Sequence, residues 1–315
     1  MIQVENVTKR YGQRIAVDGL NFRVDKGEVL GFLGPNGAGK STTMNIITGY
    51  LSATEGTVTV DGHDILEEPQ EVKRQIGYMP ELPPLYVDMT VQDYLAFVCD
   101  IKGVARPRKR DTLDRAMTLL RIADVRHRLI KNLSKGYKQR VGVAQAIIGT
   151  PPVLILDEPT IGLDPQQIIE TRNLIRDLGK EHTIILSSHI LPEVQAVCSR
   201  VLIINKGKIV ASDTPENLSK GLVGENRLTL RIAGPAQEVL ACVRGLENVV
   251  RAEVTGSREE GTIDLLIEAE RDHDIRRPLF AALAKADWPI LMMKTMDVTL
   301  EDIFLNLITE EKEVS

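Results

Sequence analysis

The chain has 315 residues, enough for about two domains at ~150 residues each, with 43% hydrophobic and 26% charged residues. That balance belongs to a folded globular protein and excludes a disordered chain, a collagen-like repeat and a disulfide-stapled mini-protein. A net charge of −5 and only 4% aromatic residues argue against a nucleic-acid binder, which needs a basic face or a stacking platform.

Residues 1–33 read as short strands, with Gly12 and the segment VDKGE at 24–28 as turns. Glu28–Leu33 is an apolar strand that stops at Gly34, and helical spacing follows over Thr42–Thr48. Strand, Gly-rich loop and helix open an α/β nucleotide-binding fold. From about 88 to 150 the pattern is helical. Thr90 and Asp93 form a capping box ahead of an apolar face of Val91, Tyr94, Leu95 and Val98. Val153–Leu156, Thr183–Ser187 and Val201–Ile204 are apolar throughout, as expected of parallel strands covered on both faces.

Past Gly221 the pattern changes. Leu228, Leu230 and Ile232 alternate as a strand, and Pro235 opens a helix carrying Val239, Leu240 and Val243. Val250–Val254 alternates again, and a SREEG turn leads to Ile263–Ile267. A helix over Arg276–Ala286 precedes a strand over Ile290–Met293, and Thr299 with Asp302 predicts the cap of a last helix. The order βαββαβ predicts a small α+β, ferredoxin-like domain over 224–315, behind an α/β domain over 1–223. Residues 224–315 carry a net charge of −7 and residues 1–223 a net of +2. The first part can therefore host an anionic ligand, and the second is a poor site for phosphate. Cys99, Cys198 and Cys242 are odd in number and far apart, as in a reduced cytoplasmic protein. The opening residues lack the apolar stretch of a signal peptide. No apolar run reaches the ~18–20 residues that span a bilayer.

Gly34-Pro-Asn36-Gly37-Ala38-Gly39-Lys40-Ser41 fits G-x-x-x-x-G-K-[ST], and Thr42 follows. Such glycines let successive backbone N–H groups face one phosphate, and the helix after them presents its positive N-terminus to the same anion. Lys40 would reach the β- and γ-phosphates, and Ser41 would ligate Mg²⁺. The strand Val153–Leu156 ends in Asp157 and Glu158. Asp157 is placed to hold Mg²⁺, and Glu158 to polarise the attacking water.

These residues resemble the ATP-binding subunits of ABC transporters. The order carries the resemblance over residues 1–220: the phosphate loop at 34–42, Leu133-Ser134-Lys135-Gly136-Tyr137, Asp157-Glu158-Pro159-Thr160, Gly162-Leu163-Asp164 and His189. It implies a P-loop NTPase core with an ABC-type helical subdomain. It implies that Tyr11 stacks on adenine with Val17 packed nearby, that Glu158 is the general base, and that His189 contacts the γ-phosphate. Ser134 and Gly136 would bind the ATP of a second subunit, and Asp164 would link the two active sites. Taken alone, Tyr11 reads as a turn tyrosine, His189 as a helix-flanking polar residue and Ser134 as an N-cap.

Three features depart from the family pattern. Lys135 and Tyr137 stand where a glycine and a glutamine are usual; Lys135 either adds charge near the phosphate or points to solvent. Glu81 stands where a glutamine would ligate Mg²⁺; a carboxylate is still a hard oxygen ligand. Leu82–Met89, apolar and proline-stiffened, is either buried locally or a groove for a helix of a membrane subunit. His273, between Asp272 and Asp274, has no second ligand nearby in sequence and reads as a loop residue. The expected function is ATP hydrolysis with Mg²⁺, by a homodimer or paired ATPase subunits. It would drive export through separate transmembrane permease subunits, from the inner face of the cell membrane. A soluble ABC-type ATPase outside transport, an importer subunit and a nucleotide sensor are the alternatives.

Overall fold

The computed structural model describes residues 1–221, 226–270 and 273–296. Two compact units divide the chain, one spanning Met1–Pro215 and one that begins at Glu216. The helix Pro215–Gly221 thus belongs almost wholly to the second unit, and the division falls before the sequence-based boundary at 223.

The first unit holds two sheets. One is antiparallel, in the order Arg14–Val24, Ile2–Tyr11, Glu55–Val60, His63–Asp64. Its strands alternate: Ile2 and Val4 are buried, while Glu5 is exposed. The other has six strands, in the order Lys208–Asp213, Arg200–Asn205, Val29–Leu33, Thr183–Ser188, Val153–Asp157, Ile76–Met79. Five run parallel, and only the edge strand Lys208–Asp213 is antiparallel. Val153–Asp157 and Thr183–Ser188 are buried along their whole length, which is why their sequences do not alternate. The inner faces of the two sheets meet in one core that includes Val4, Leu20, Phe32, Met44 and Ile155. Within it the Phe22 and Phe32 rings lie 5.7 Å apart.

Between the strands Ile76–Met79 and Val153–Asp157 the chain makes three α-helices, Val91–Ile101, Arg106–Leu119 and Lys135–Ile147. Thr90 caps the first, its hydroxyl accepting from Asp93 N at 3.1 Å. The third lies so close to the sheet that a Cβ at Gly77 would stand 2.2 Å from Ala146 O. Parallel register brings the C-terminal ends of three strands together, with Leu33 opposite Ser188 and Asp157 opposite Ser187. Ligands of such sheets bind outside these ends.

After the helix Pro215–Gly221, the second unit runs strand, helix, strand, strand, helix, strand. The strands are Asn226–Ala233, Val249–Gly256, Thr262–Ala269 and Ile290–Met296; the helices are Ala236–Arg244 and Arg276–Lys285. The sheet is antiparallel, with Thr262–Ala269 and Asn226–Ala233 at its centre. Leu228, Leu230, Leu265 and Ile267 form a separate core with Val239, Val243, Leu279 and Leu283 of the helices. Pro235 is the N-cap residue rather than the first helical one, and the last strand extends past the predicted Met293 to Met296. The expected helix at Thr299 and Asp302 lies outside the described residues. No described helix is long and apolar enough to cross a membrane.

Candidate functional site

The loop from Gly34 to Gly39 joins the strand Val29–Leu33 to the helix Lys40–Ile47. The helix starts two residues before the predicted Thr42. Gly39, its N-cap residue, has a left-handed φ of 111°, which only glycine adopts without strain. Gly34 is needed for space, because a Cβ there would stand 2.5 Å from Ile204 O. Lys40 folds back over the loop, and its Nζ donates to Gly34 O at 2.7 Å and Pro35 O at 3.3 Å.

The acidic strand end converges on the same lysine. Glu158 Oε1 lies 3.5 Å from Lys40 Nζ, and both side chains are 7% exposed. His189 Nδ1 donates to Glu158 Oε2 at 2.8 Å. One buried carboxylate is therefore shared between the loop lysine and the histidine. Glu158 itself has a φ of 49°, a strained backbone for a non-glycine residue and a mark of functional sites. Its N–H is 3.1 Å from Ser187 Oγ. Asp157 is buried, and Ser187 donates to it. Burial pushes the Asp157 carboxyl above the ordinary carboxylate range, and the Glu158 charge adds to this. Hydrogen bonds from Ser187 and Ser41 and the Lys40 charge oppose the rise. A carboxylate in this balance, with a serine hydroxyl beside it, suits a hard cation.

A cleft of about 660 Å³ opens over these groups, lined by Tyr11, Asn36, Gly37, Gly39, Lys40, Ser41, Thr42, Glu81, Glu158 and His189 of the predicted set. Tyr11 stands at its rim, 50% exposed. Arg14, Ala16 and Ile161 also line it and were not foreseen. Gly12 turns the chain so that Arg14 pairs with Tyr11, which is the signal that would have found it. Three expected contacts fall behind the wall: Asp157, buried at its strand end, Val17 and Ala38. Val17 is fully buried in the core, because strand alternation turns Ala16 to the cleft and Val17 inward. Ala38 is buried too, its carbonyl accepting from Gly207 N at 2.9 Å. Among the described residues no cluster of three or more His, Cys, Asp or Glu side chains could cage a metal.

Ser134, Gly136 and Asp164 do not line this cleft. They come together elsewhere. Ser134 caps the helix Lys135–Ile147, accepting from Tyr137 N at 3.4 Å. Asp164 caps the helix Pro165–Leu178, accepting from Gln167 N at 2.9 Å. A Cβ at Gly136 would meet Gln167 Oε1 at 2.6 Å, and one at Gly162 would meet Lys135 Nζ at 2.1 Å. Lys135 thus lies across the turn at Gly162 and is exposed, in keeping with the reading that it points to solvent. Tyr137 donates to Asp124 Oδ2 at 2.8 Å. In the Leu82–Met89 segment, Leu82 and Tyr86 are exposed, and the Tyr86 ring packs 5.4 Å from that of Phe97.

The ABC transporter family matches residues 17–161. The linearmycin resistance ATP-binding protein LnrL of Bacillus subtilis is 33% identical over 98% of each chain. The bacitracin transport ATP-binding protein BcrA of Bacillus licheniformis is 37% identical over 70% of this chain and 72% of its own. A solved ATP-binding subunit of an ABC transporter superposes with a TM-score of 0.65 at 28% identity, covering 71% of this chain and 93% of that one. Likeness that runs almost end to end, with the phosphate loop and its carboxylates in place, makes this chain a member of the ABC transporter ATP-binding proteins, and an ATPase.

Proposed function

We propose that this chain closes with a second ATPase subunit around two ATP and drives export through separate membrane subunits, from the inner face of the membrane. The observation that carries the reading is the Glu158 carboxylate held between Lys40 and His189. On ATP binding, Lys40 exchanges its carbonyl partners for the β- and γ-phosphates. Glu158 orients the attacking water and accepts its proton, and His189 holds Glu158 and the γ-phosphate in register. Ser41 and Asp157, with Glu81, would hold Mg²⁺, which neutralises phosphate charge when bound. Positioning and charge stabilisation supply most of the rate in such transfers.

Dimerisation is supported by where the remaining residues lie. Ser134 and Asp164 are exposed, Gly136 is buried against Gln167, and none of the three lines the chain's own cleft, which supports a role toward the nucleotide of a second copy or a paired subunit. Export is supported by relatives named for resistance and for peptide-antibiotic transport. The exposed Leu82, Tyr86 and Phe97 supply apolar surface for a membrane subunit. The second unit, from about 216 to 315, is a ferredoxin-like accessory domain that regulates or steadies the dimer. Glu158→Gln tests the central claim. It should bind ATP, stop turnover and trap a dimer on size exclusion; normal hydrolysis by a monomer refutes it.

A further inference from the structure

Glu193 lies four residues after His189, on the short helix Leu191–Val197, and is 3% exposed. Its Oε2 accepts from two hydroxyls. One is Thr160 Oγ1; the other is Ser188 Oγ at 3.2 Å. Thr160 opens the turn that leads from Glu158 to Asp164, with Leu163 N donating to Thr160 O at 3.1 Å. Ser188 is the residue before His189, and its hydroxyl also accepts from Ile190 N at 3.0 Å. Its other oxygen, Oε1, is buried without a hydrogen-bond partner among the described residues. A buried carboxylate spent on two neutral hydroxyls is expensive for the fold, so its use calls for a role that an apolar residue could not fill.

We propose that Glu193 is a positioning residue that ties the turn 160–164 to the strand end carrying His189. One acceptor shared by both segments makes them move as a unit. When a second subunit pulls on Asp164, the same bond moves Ser188 and resets the distance between His189 and Glu158. The two sites of a dimer would then fire together through this link. The inference rests on the dimer reading given above.

The test uses the full chain and MgATP, with Glu193→Ala, Glu193→Gln and Thr160→Val. Glu193→Ala should lower kcat about tenfold while ATP affinity changes less than about twofold, the size expected for lost hydrogen bonds to a charged group. Glu193→Gln should keep most of kcat, because its amide oxygen still accepts from both hydroxyls. Thr160→Val should lower kcat with ATP affinity kept and reduce the cooperativity of turnover with ATP. In the Glu193→Ala, Thr160→Val double variant the two effects should not multiply. Wild-type kcat and cooperativity in Thr160→Val, or effects that multiply, overturn the proposal. A fall in melting temperature at unchanged kcat overturns it too. If Glu193→Ala does not fold, Thr160→Val and Glu193→Gln decide alone. Should Glu158→Gln hydrolyse ATP, the dimer reading has failed instead, whatever these variants do.

Discussion

The Lys40 ammonium and the Glu158 carboxylate form a buried pair in which each has a second task. Lys40→Ala removes the phosphate contact and leaves Glu158 buried with His189 as its remaining hydrogen-bond partner across the site. It should cut ATPase activity by at least about a hundredfold, measured as phosphate release, since one charge-stabilising contact commonly carries that much. Glu81 lines the cleft but is exposed. Glu81→Gln removes a charge and keeps an oxygen ligand, so turnover should stay within a few-fold of wild type. Complete loss of hydrolysis with normal ATP binding would show that the carboxylate itself is needed. The phosphate loop was legible because its chemistry is local: eight consecutive residues carry the whole pattern. The link between Glu158 and His189 joins residues 31 apart, and only the parallel register of two strands creates it. Glu193 was not legible at all. On a seven-residue helix a glutamate ordinarily faces solvent, and its burial is decided by Thr160, 33 residues away.

At the level of elements, the helix Lys135–Ile147 leaves no room for a side chain at Gly77. Gly77→Ala would force a methyl group against the Ala146 carbonyl, and backbone cannot yield as a side chain can. Overpacking of this kind costs about 1–3 kcal/mol, so the melting temperature should fall by several degrees. The second unit has its own sensitive contact. Arg231 donates to Asp264 at 2.7 and 3.2 Å, and this guanidinium holds the Asp264 carboxyl below the ordinary carboxylate range. A carboxyl depressed by folding stabilises above the unfolded value of about 4, and that contribution fades as the pH falls through the folded value. Acid titration followed by circular dichroism should therefore show a weaker loss of the second unit's stability in Asp264→Asn than in wild type, from a lower starting point at neutral pH. The strands of both units were readable from alternation or its absence. Their edges were not, because a helix start such as Lys40 depends on the backbone of Gly39 rather than on side-chain pattern.

For the whole molecule, length suggested two domains, and the chain divides into two compact units between Pro215 and Glu216. Truncation after Gly221 should leave the ATP cleft intact, because none of its lining residues comes from the second unit. If the second unit steadies the dimer, the truncated Glu158→Gln chain should need more ATP to dimerise, as read by analytical ultracentrifugation. Unchanged dimerisation and ATPase rate would remove that role.

The separate cores also decide how this protein melts. A chain of two compact units, each with a hydrophobic core of its own, has no single unfolding free energy. A heating scan should resolve into two steps, and added ATP can serve as the label for them. The nucleotide binds folded protein only, so a concentration of about 100 times Kd raises the stability of the ligated part by about 2.7 kcal/mol. The step that climbs with ATP then reports the catalytic unit, and the step that stays reports the acidic one. Calorimetry of the intact chain would thereby weigh each half without cutting it.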